Sequence, residues 1–88
     1  MKNSIRGGPM NPERRELAPG IEANPEVVGG APVLQGTRIP VWAVLRAVAD
    51  LGSIEEAARA YEVPSDRIRQ ALYYAADLLE EIRVGILA

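Results

Sequence analysis

From Val41 onward the helical period breaks at only two places, Gly52-Ser53 and Val63-Pro64-Ser65. Each break joins a helix-stopping residue to a hydroxyl able to cap the next helix, so this half of the chain must fold as three rods joined by tight corners. Pro40 suits a first helical turn. Val41, Val44, Leu45, Val48 and Leu51 then share one face, which predicts a helix over 41–51. Gly52 follows where a left-handed C-terminal cap belongs. Ser53 and Glu56 are spaced as a capping box, the Ser53 hydroxyl accepting from the Glu56 amide while the Glu56 carboxylate reaches back. The helix it opens runs over about 54–62 and stops before Pro64. Ser65 caps a third helix over about 65–83, with Ile68, Leu72, Ala75, Leu79 and Ile82 on one stripe.

The first half is punctuated differently. Residues 21–39 hold short β-branched runs broken by Gly29-Gly30 and Gln35-Gly36, with Asn24-Pro25 as a turn starter. Val27-Val28 and Val33-Leu34 are the adjacent apolar pairs suited to strands, and Pro32 belongs at an edge or a strand start. The expectation is a short hairpin or two extended arms. Gly29-Gly30 would permit a tight turn and Gly36 a close backbone approach or a positive φ. Thr37 or Arg38 would tie the β element to the helices. Residues 1–20 carry Gly and Pro at short intervals without an apolar period, and read as a flexible tail made locally basic by Lys2, Arg6, Arg14 and Arg15. A solvated tail and a partner-binding arm at Arg14 and Arg15 both fit that composition.

With 88 residues the chain is one small domain, 1–20 being tail and 21–88 the folded part. Apolar residues are 48 % of it, enough for a core, but at this size a single core is marginal. A second copy covering leftover apolar surface would help. A homodimer is therefore expected, closed by Leu78, Leu79, Ile82 and the C-terminal Val84–Ala88. There is no cysteine and no histidine, which removes thiolate chemistry, the commonest metal ligand and the commonest general base. The glycines around Val33 lack the Lys-Ser/Thr pair of a phosphate-binding loop and the third glycine of a dinucleotide fingerprint. No catalytic constellation emerges, so no enzymatic activity, metal or cofactor is expected. No stretch has the length of a membrane span or the pattern of a signal peptide, and a cytoplasmic protein is the default. The net charge of −2 disfavours coating nucleic acid through bulk charge, yet leaves room for a local cationic reader.

Two capped helices with a turn of about four residues between them suggest a helix-turn-helix, within a mainly α, three-helix domain of homeodomain-like or winged-helix-like type. Ala57 and Ala58 are small enough for close helix approach. Tyr61 and Val63 would anchor the turn, and Ile68 and Ala71 would pack the third helix back on the first. Glu62 occupies the turn position where glycine is easiest, so it must accept a disfavoured backbone. Opposite the core stripe of the third helix lie Asp66, Gln70, Tyr73 and Asp77, with Arg67, Arg69 and Tyr74 on the flanks. Arg67, Arg69, Gln70 and Tyr73 suit base edges and phosphates, and Arg59 and Arg38 are candidates for phosphate contact. The acidic far end, Asp77, Glu80 and Glu81, leaves only the early turns able to enter a groove. A solvated face, or two helices packed without any role in DNA binding, fits the same pattern.

Taken in order, Gly30, Pro32, Gly36-Thr37-Arg38-Ile39, Val41, Gly52, Glu55-Glu56 and Ala71-Leu72 with Tyr74-Ala75 resemble the bacterial and archaeal domain-of-unknown-function 433 family over roughly residues 21–80. Its usual Tyr-Pro after the second helix is replaced here by Tyr61-Glu62-Val63-Pro64. The resemblance implies a helix-turn-helix domain with a short β element, similar to antitoxins of the VapB type. Such proteins would neutralise a PIN-like ribonuclease toxin and repress their own operon by binding its operator DNA. A protein-interaction module or homodimeric adaptor, whose helix packing is only architecture, is the competing expectation.

Overall fold

The computed structural model describes residues 14–87. Three helices carry most of it: α1 (Val41–Leu51), α2 (Ile54–Tyr61) and α3 (Ser65–Leu87). Ahead of them stands a small antiparallel sheet of β1 (Arg15–Ala18), β2 (Ile21–Ala23) and β3 (Val33–Leu34), in that spatial order. The expected helix boundaries hold for α1, fall within a residue for α2, and α3 runs four residues further than predicted. Among the described residues, no helix is long and apolar enough to cross a membrane.

The sheet begins earlier than the sequence suggested. Arg14 to Gly20, read as the end of a flexible tail, instead supply its outer strand, with Arg15 opposite Ala23 and Ala18 opposite Ile21. The reason is the two-residue Pro19-Gly20 connection: proline fixes its own φ, and Gly20 takes φ +77°, the left-handed value a type II turn needs. An irregularity in register between Glu16 and Ala18 bends the strand on its way into the turn. The remainder of the expected tail, residues 1–13, lies outside the described residues.

Val27-Val28 do not form a strand. Asn24 starts a turn, its carbonyl accepting from the Val27 amide at 2.8 Å and its side-chain oxygen from the Glu26 amide at 3.0 Å. A short 3-10 turn over Val28–Gly30 follows, with Val28, Gly29 and Gly30 all at positive φ. Val33-Leu34 do form a strand, with Pro32 immediately before it, as expected of that residue. The Pro32 carbonyl accepts from the Val41 amide at 2.9 Å, fixing the sheet to the start of α1.

The α1–α2 corner is the one the sequence specified, whereas α3 begins at Ser65 itself, so this serine is the first helical residue and not the cap expected before it. Gly52 closes α1 in the left-handed conformation, φ 94°, with its amide on Val48 O at 2.9 Å. The Ser53 hydroxyl accepts from the Glu56 amide at 3.0 Å, but the Glu56 carboxylate turns instead toward Arg59, so only half of the capping box forms. Glu62 takes φ 59° and ψ 44° at the end of α2, the disfavoured backbone expected of a non-glycine there. The core gathers Ile21, Leu34, Val44, Ala57, Ile68 and Ala71, one or two residues from nearly every element. The small Ala57 and Ala71 let α2 and α3 approach closely, as their spacing implied. The predicted stripe of α3 is buried only over its first half: Ile68 is in the core, whereas Leu79 and Ile82 are exposed.

Candidate functional site

The sheet is held against α3 by a polar cluster centred on Glu22. This side chain is buried, an uncommon place for a carboxylate, and both of its oxygens are satisfied. Oε1 accepts from Arg14 Nη2 at 2.9 Å, and Oε2 accepts from the Gly36 amide at 3.1 Å. Those two hydrogen bonds, Arg14 first, pull the Glu22 carboxyl below its ordinary pKa, and the positive charge of Arg67 adds to them against the opposing effect of burial. The loop that carries Gly36 is shaped by Thr37, whose hydroxyl donates to Leu34 O at 2.8 Å and accepts from the Ile39 amide at 3.0 Å. Thr37 therefore closes its own loop instead of tying it to the helices. That tie comes from α3: Arg67 Nη2 donates to Gln35 O at 2.7 Å. The Gln35 amide in turn donates to Gly20 O at 2.8 Å, so hairpin, loop and helix are joined in one relay.

Two side chains expected on the outer, reading face of α3 are thereby drawn into the fold. Arg67 is half-buried, and its Nε is enclosed without a hydrogen-bond partner among the described residues. Gln70 lies under the hairpin turn: a Cβ at position 20 would press on the end of its side chain, which could shift, so it is the φ of +77° that favours glycine there. Gln70 Oε1 is likewise buried and unpartnered among the described residues. Helical periodicity correctly set both residues away from the core stripe. It gave no sign that the β1–β2 turn covers that side of the helix.

Exposed on this face are Tyr73, with 69 % of its surface accessible, the acidic Asp66 and Asp77, and Arg69, whose guanidinium lies 3.8 Å from Glu55 of α2. Arg59 is exposed on α2, 3.5 Å from Glu56. Arg38 projects from the loop that Arg67 tethers to the first turn of α3, and it makes no ion pair among the described residues. Arg14 is engaged by Glu22, while Arg15 is exposed on the outer strand. Gly30 and Gly36 both adopt positive φ, as turn glycines should. No side chain lies within 4 Å of a Cβ built at Gly36, so it serves through its backbone angle and not through close packing.

A second surface joins Leu78 and Leu79, expected from the sequence to face a second copy, to Trp42 of α1, which the sequence did not single out. Trp42, with 57 % of its surface exposed, stands on α1 beside an apolar groove of about 250 Å³ floored by Val41, Leu45, Tyr74, Ala75 and Leu78. An aromatic residue one position after the helix-opening Val41 falls off the core face, and that was the available signal.

The model of the family described as Protein of unknown function (DUF433) matches residues 21–75. A relative from Sinorhizobium fredii (strain NBRC 101917 / NGR234), described as uncharacterized protein y4eO, is 38 % identical over 56 residues. That alignment takes in 62 % of this chain and 25 % of the relative, so the chain spans about a quarter of the length of the protein it matches. No solved structure matches the chain. The family match runs from the buried strand β2, through the Gly36-Thr37-Arg38-Ile39 loop, to Ala75 of α3, more than half of the residues, and the chain belongs to the DUF433 family.

Proposed function

We propose that this protein is a DNA-binding antitoxin of the VapB-like kind, working as a homodimer, with α2 and α3 as a helix-turn-helix. The supporting observation is the α2–α3 corner. Ser53 caps α2, Glu62 turns the chain in the left-handed region, and α3 starts three residues later with Arg69 and Tyr73 exposed on its early turns. The early outer face of the second helix is the part that reads base edges in this motif. Arg69 and Tyr73 are the proposed readers, with Arg59 and Arg38 on phosphates to either side. Arg67 and Gln70 contribute indirectly, by holding the β element against the helix. Repression of its own operator and neutralisation of a PIN-like toxin follow from the family resemblance, and are proposed on that ground.

A gel shift with the DNA upstream of its own gene tests the first half. Arg69→Ala should weaken specific binding by about tenfold or more, as loss of a base contact worth roughly 1–3 kcal/mol would. Arg59→Ala should weaken binding to all sequences and lower the salt slope by about one. No shift by the wild-type protein, alone or with the product of the neighbouring gene, refutes DNA binding. Co-expression with that neighbour tests neutralisation.

The competing reading is a protein-interaction module, and one observation favours it: the exposed apolar surface formed by Trp42, Leu78 and Leu79. Its distinguishing result is a stable protein complex with no affinity for DNA.

A further inference from the structure

Two depressions adjoin on the second half of α3, and they differ in chemistry. One, of about 250 Å³, is the groove lined by Trp42, Leu45, Leu78 and Leu79, and it holds no charged side chain among the described residues. The other, of about 360 Å³, lies between β1 and α3. Leu17, Ala18, Tyr74 and Leu78 form its apolar part, and Asp77 and Glu81 supply its charge. Tyr74 and Leu78 line both depressions, one helical turn apart, and Asp77 and Glu81 have the same spacing. The carboxylates therefore border the apolar stripe along one side of the helix, with Glu80 exposed next to them. Elsewhere around the face the signs balance: Asp50 accompanies Arg46 beyond Trp42, and Glu16 accompanies Arg15 on β1. Arg83 follows on α3, its side chain outside the described residues.

We infer that this face docks a helix of a partner protein that carries leucine-like side chains along one stripe and arginine or lysine along its border. Carboxylates at the rim of an apolar depression match the mixed character of those two cations, whose methylene stems lie on apolar surface while the charged heads stay at the edge. Tyr74 in the same lining adds an aromatic ring, to which such cations are attracted. The uncharged groove beside it suits apolar anchors repeating every three or four residues, as when a helix seats in a groove. Charge decides the sign of the partner, because an acidic helix would bring its carboxylates onto Asp77 and Glu81. Leu78 and Leu79, 43 % and 64 % exposed, hold the apolar surface that the helix would cover. The inference rests on the partner-binding part of the proposal above, which the competing reading shares, and it is independent of DNA. Ile82 lies outside the lining of both depressions and is left for contact with a second copy.

The probe is a synthetic helical peptide of leucine and lysine, leucines on one stripe and no tryptophan. Two companion peptides replace its lysines by glutamate or its leucines by serine. Trp42 is the chain's single tryptophan and lines the groove, so its emission reports occupancy. Full-length protein at about 1 µM, without DNA, is titrated with each peptide up to about 100 µM. The leucine–lysine peptide should move the emission to shorter wavelength and bind about tenfold or more tightly than either companion. Asp77→Asn combined with Glu81→Gln should weaken that binding by about tenfold. Glu26→Gln combined with Glu62→Gln removes the same charge from exposed sites elsewhere and should leave it unchanged. All four positions are exposed, and unchanged thermal melts verify that both double variants fold. Equal losses in the two variants, or equal binding of the glutamate peptide, overturn the inference, since attraction is then to bulk charge or to apolar surface of any kind. So does a wild-type protein that is already a dimer at about 1 µM with Trp42 out of water, because a second copy then fills the face. Absence of peptide binding alongside a shift of the upstream DNA sinks this inference alone, and peptide binding without any DNA shift leaves it standing.

Discussion

Glu22 offers the most informative perturbation of the fold, because its two hydrogen bonds join β2 to the preceding Arg14 and to the loop at Gly36. The Gly36 amide bond, 3.1 Å to a buried charged acceptor, falls in the range of about 1.5–3 kcal/mol for charge-assisted bonds. The Arg14 pair, with that arginine's side chain roughly half exposed to solvent, is discounted to about 0.2–1 kcal/mol. Glu22→Ala removes both and should destabilise the domain by about 2–4 kcal/mol. For a domain this small, that lowers the melting temperature by about 10–25 °C. Glu22→Gln keeps an oxygen for the Gly36 amide but loses the charge, and should cost about half as much.

The pH dependence has a definite sign. The folded chain holds the Glu22 carboxyl below its ordinary pKa, so folding favours the charged form. Its contribution is complete above the ordinary glutamate range, about 4 to 4.5, and is lost as pH falls through the lower folded value. Wild type and Glu22→Gln should therefore differ most at neutral pH and converge in acid. Far-UV circular dichroism melts of both proteins at a series of pH values measure this. Equal melting temperatures at neutral pH, or a gap that stays constant into acid, would refute the role assigned to this carboxylate.

Gly36→Val should cost about 1–3 kcal/mol, since Gly36 sits at φ +77° with nothing crowding its Cβ position; an unchanged melting midpoint would contradict this. Glu62→Gly should stabilise the α2–α3 corner by up to about 1 kcal/mol in urea titrations, because a left-handed residue loses its Cβ clash, partly offset by the more flexible unfolded chain. Gln70→Met removes a buried oxygen that has no partner among the described residues, so its effect on the urea midpoint should lie between neutral and a gain of about 1 kcal/mol. A clear loss in that variant would mean that the Gln70 amide is hydrogen-bonded in solution.

The helices were legible because their ends are written locally. Gly52, Ser53 and Pro64 each act within a few residues, and the structure uses all three at the places where the sequence puts them. The outer strand was not legible from its own residues, since Arg15-Glu16-Leu17-Ala18 offers no sustained alternation; the Pro19-Gly20 dipeptide was its one local sign. Val27-Val28 misled for the opposite reason. Their β-branched side chains favour a strand, but the Asn24 turn before them and the paired glycines after them curl the backbone instead. Glu22 depends on Arg14 eight residues earlier and Gly36 fourteen later, a convergence that no local pattern contains. The same holds for Gln70, which only the folded hairpin covers.

These non-local contacts change what the α2–α3 face can do. With Arg67 turned to Gln35, the exposed cations at this corner are Arg59 in the last turn of α2 and Arg69 early in α3, and each has a carboxylate beside it, at 3.5 and 3.8 Å. Solvent-exposed pairs of this kind are worth at most about 1 kcal/mol, so a phosphate can take either arginine at little cost. Glu55 and Glu56 nevertheless stay near the displaced site and repel the same phosphate, which limits what one copy gains. With Glu62 and Asp66 also exposed at this corner, carboxylates outnumber cations, and the face cannot hold DNA through bulk attraction. Affinity must come from geometry, with two copies fixed at one spacing so that the second contact follows the first without a new loss of freedom. The homodimer proposed above would supply that fixed spacing. On this physical argument dimerisation is a precondition of specific DNA binding, and the two proposals stand in that order.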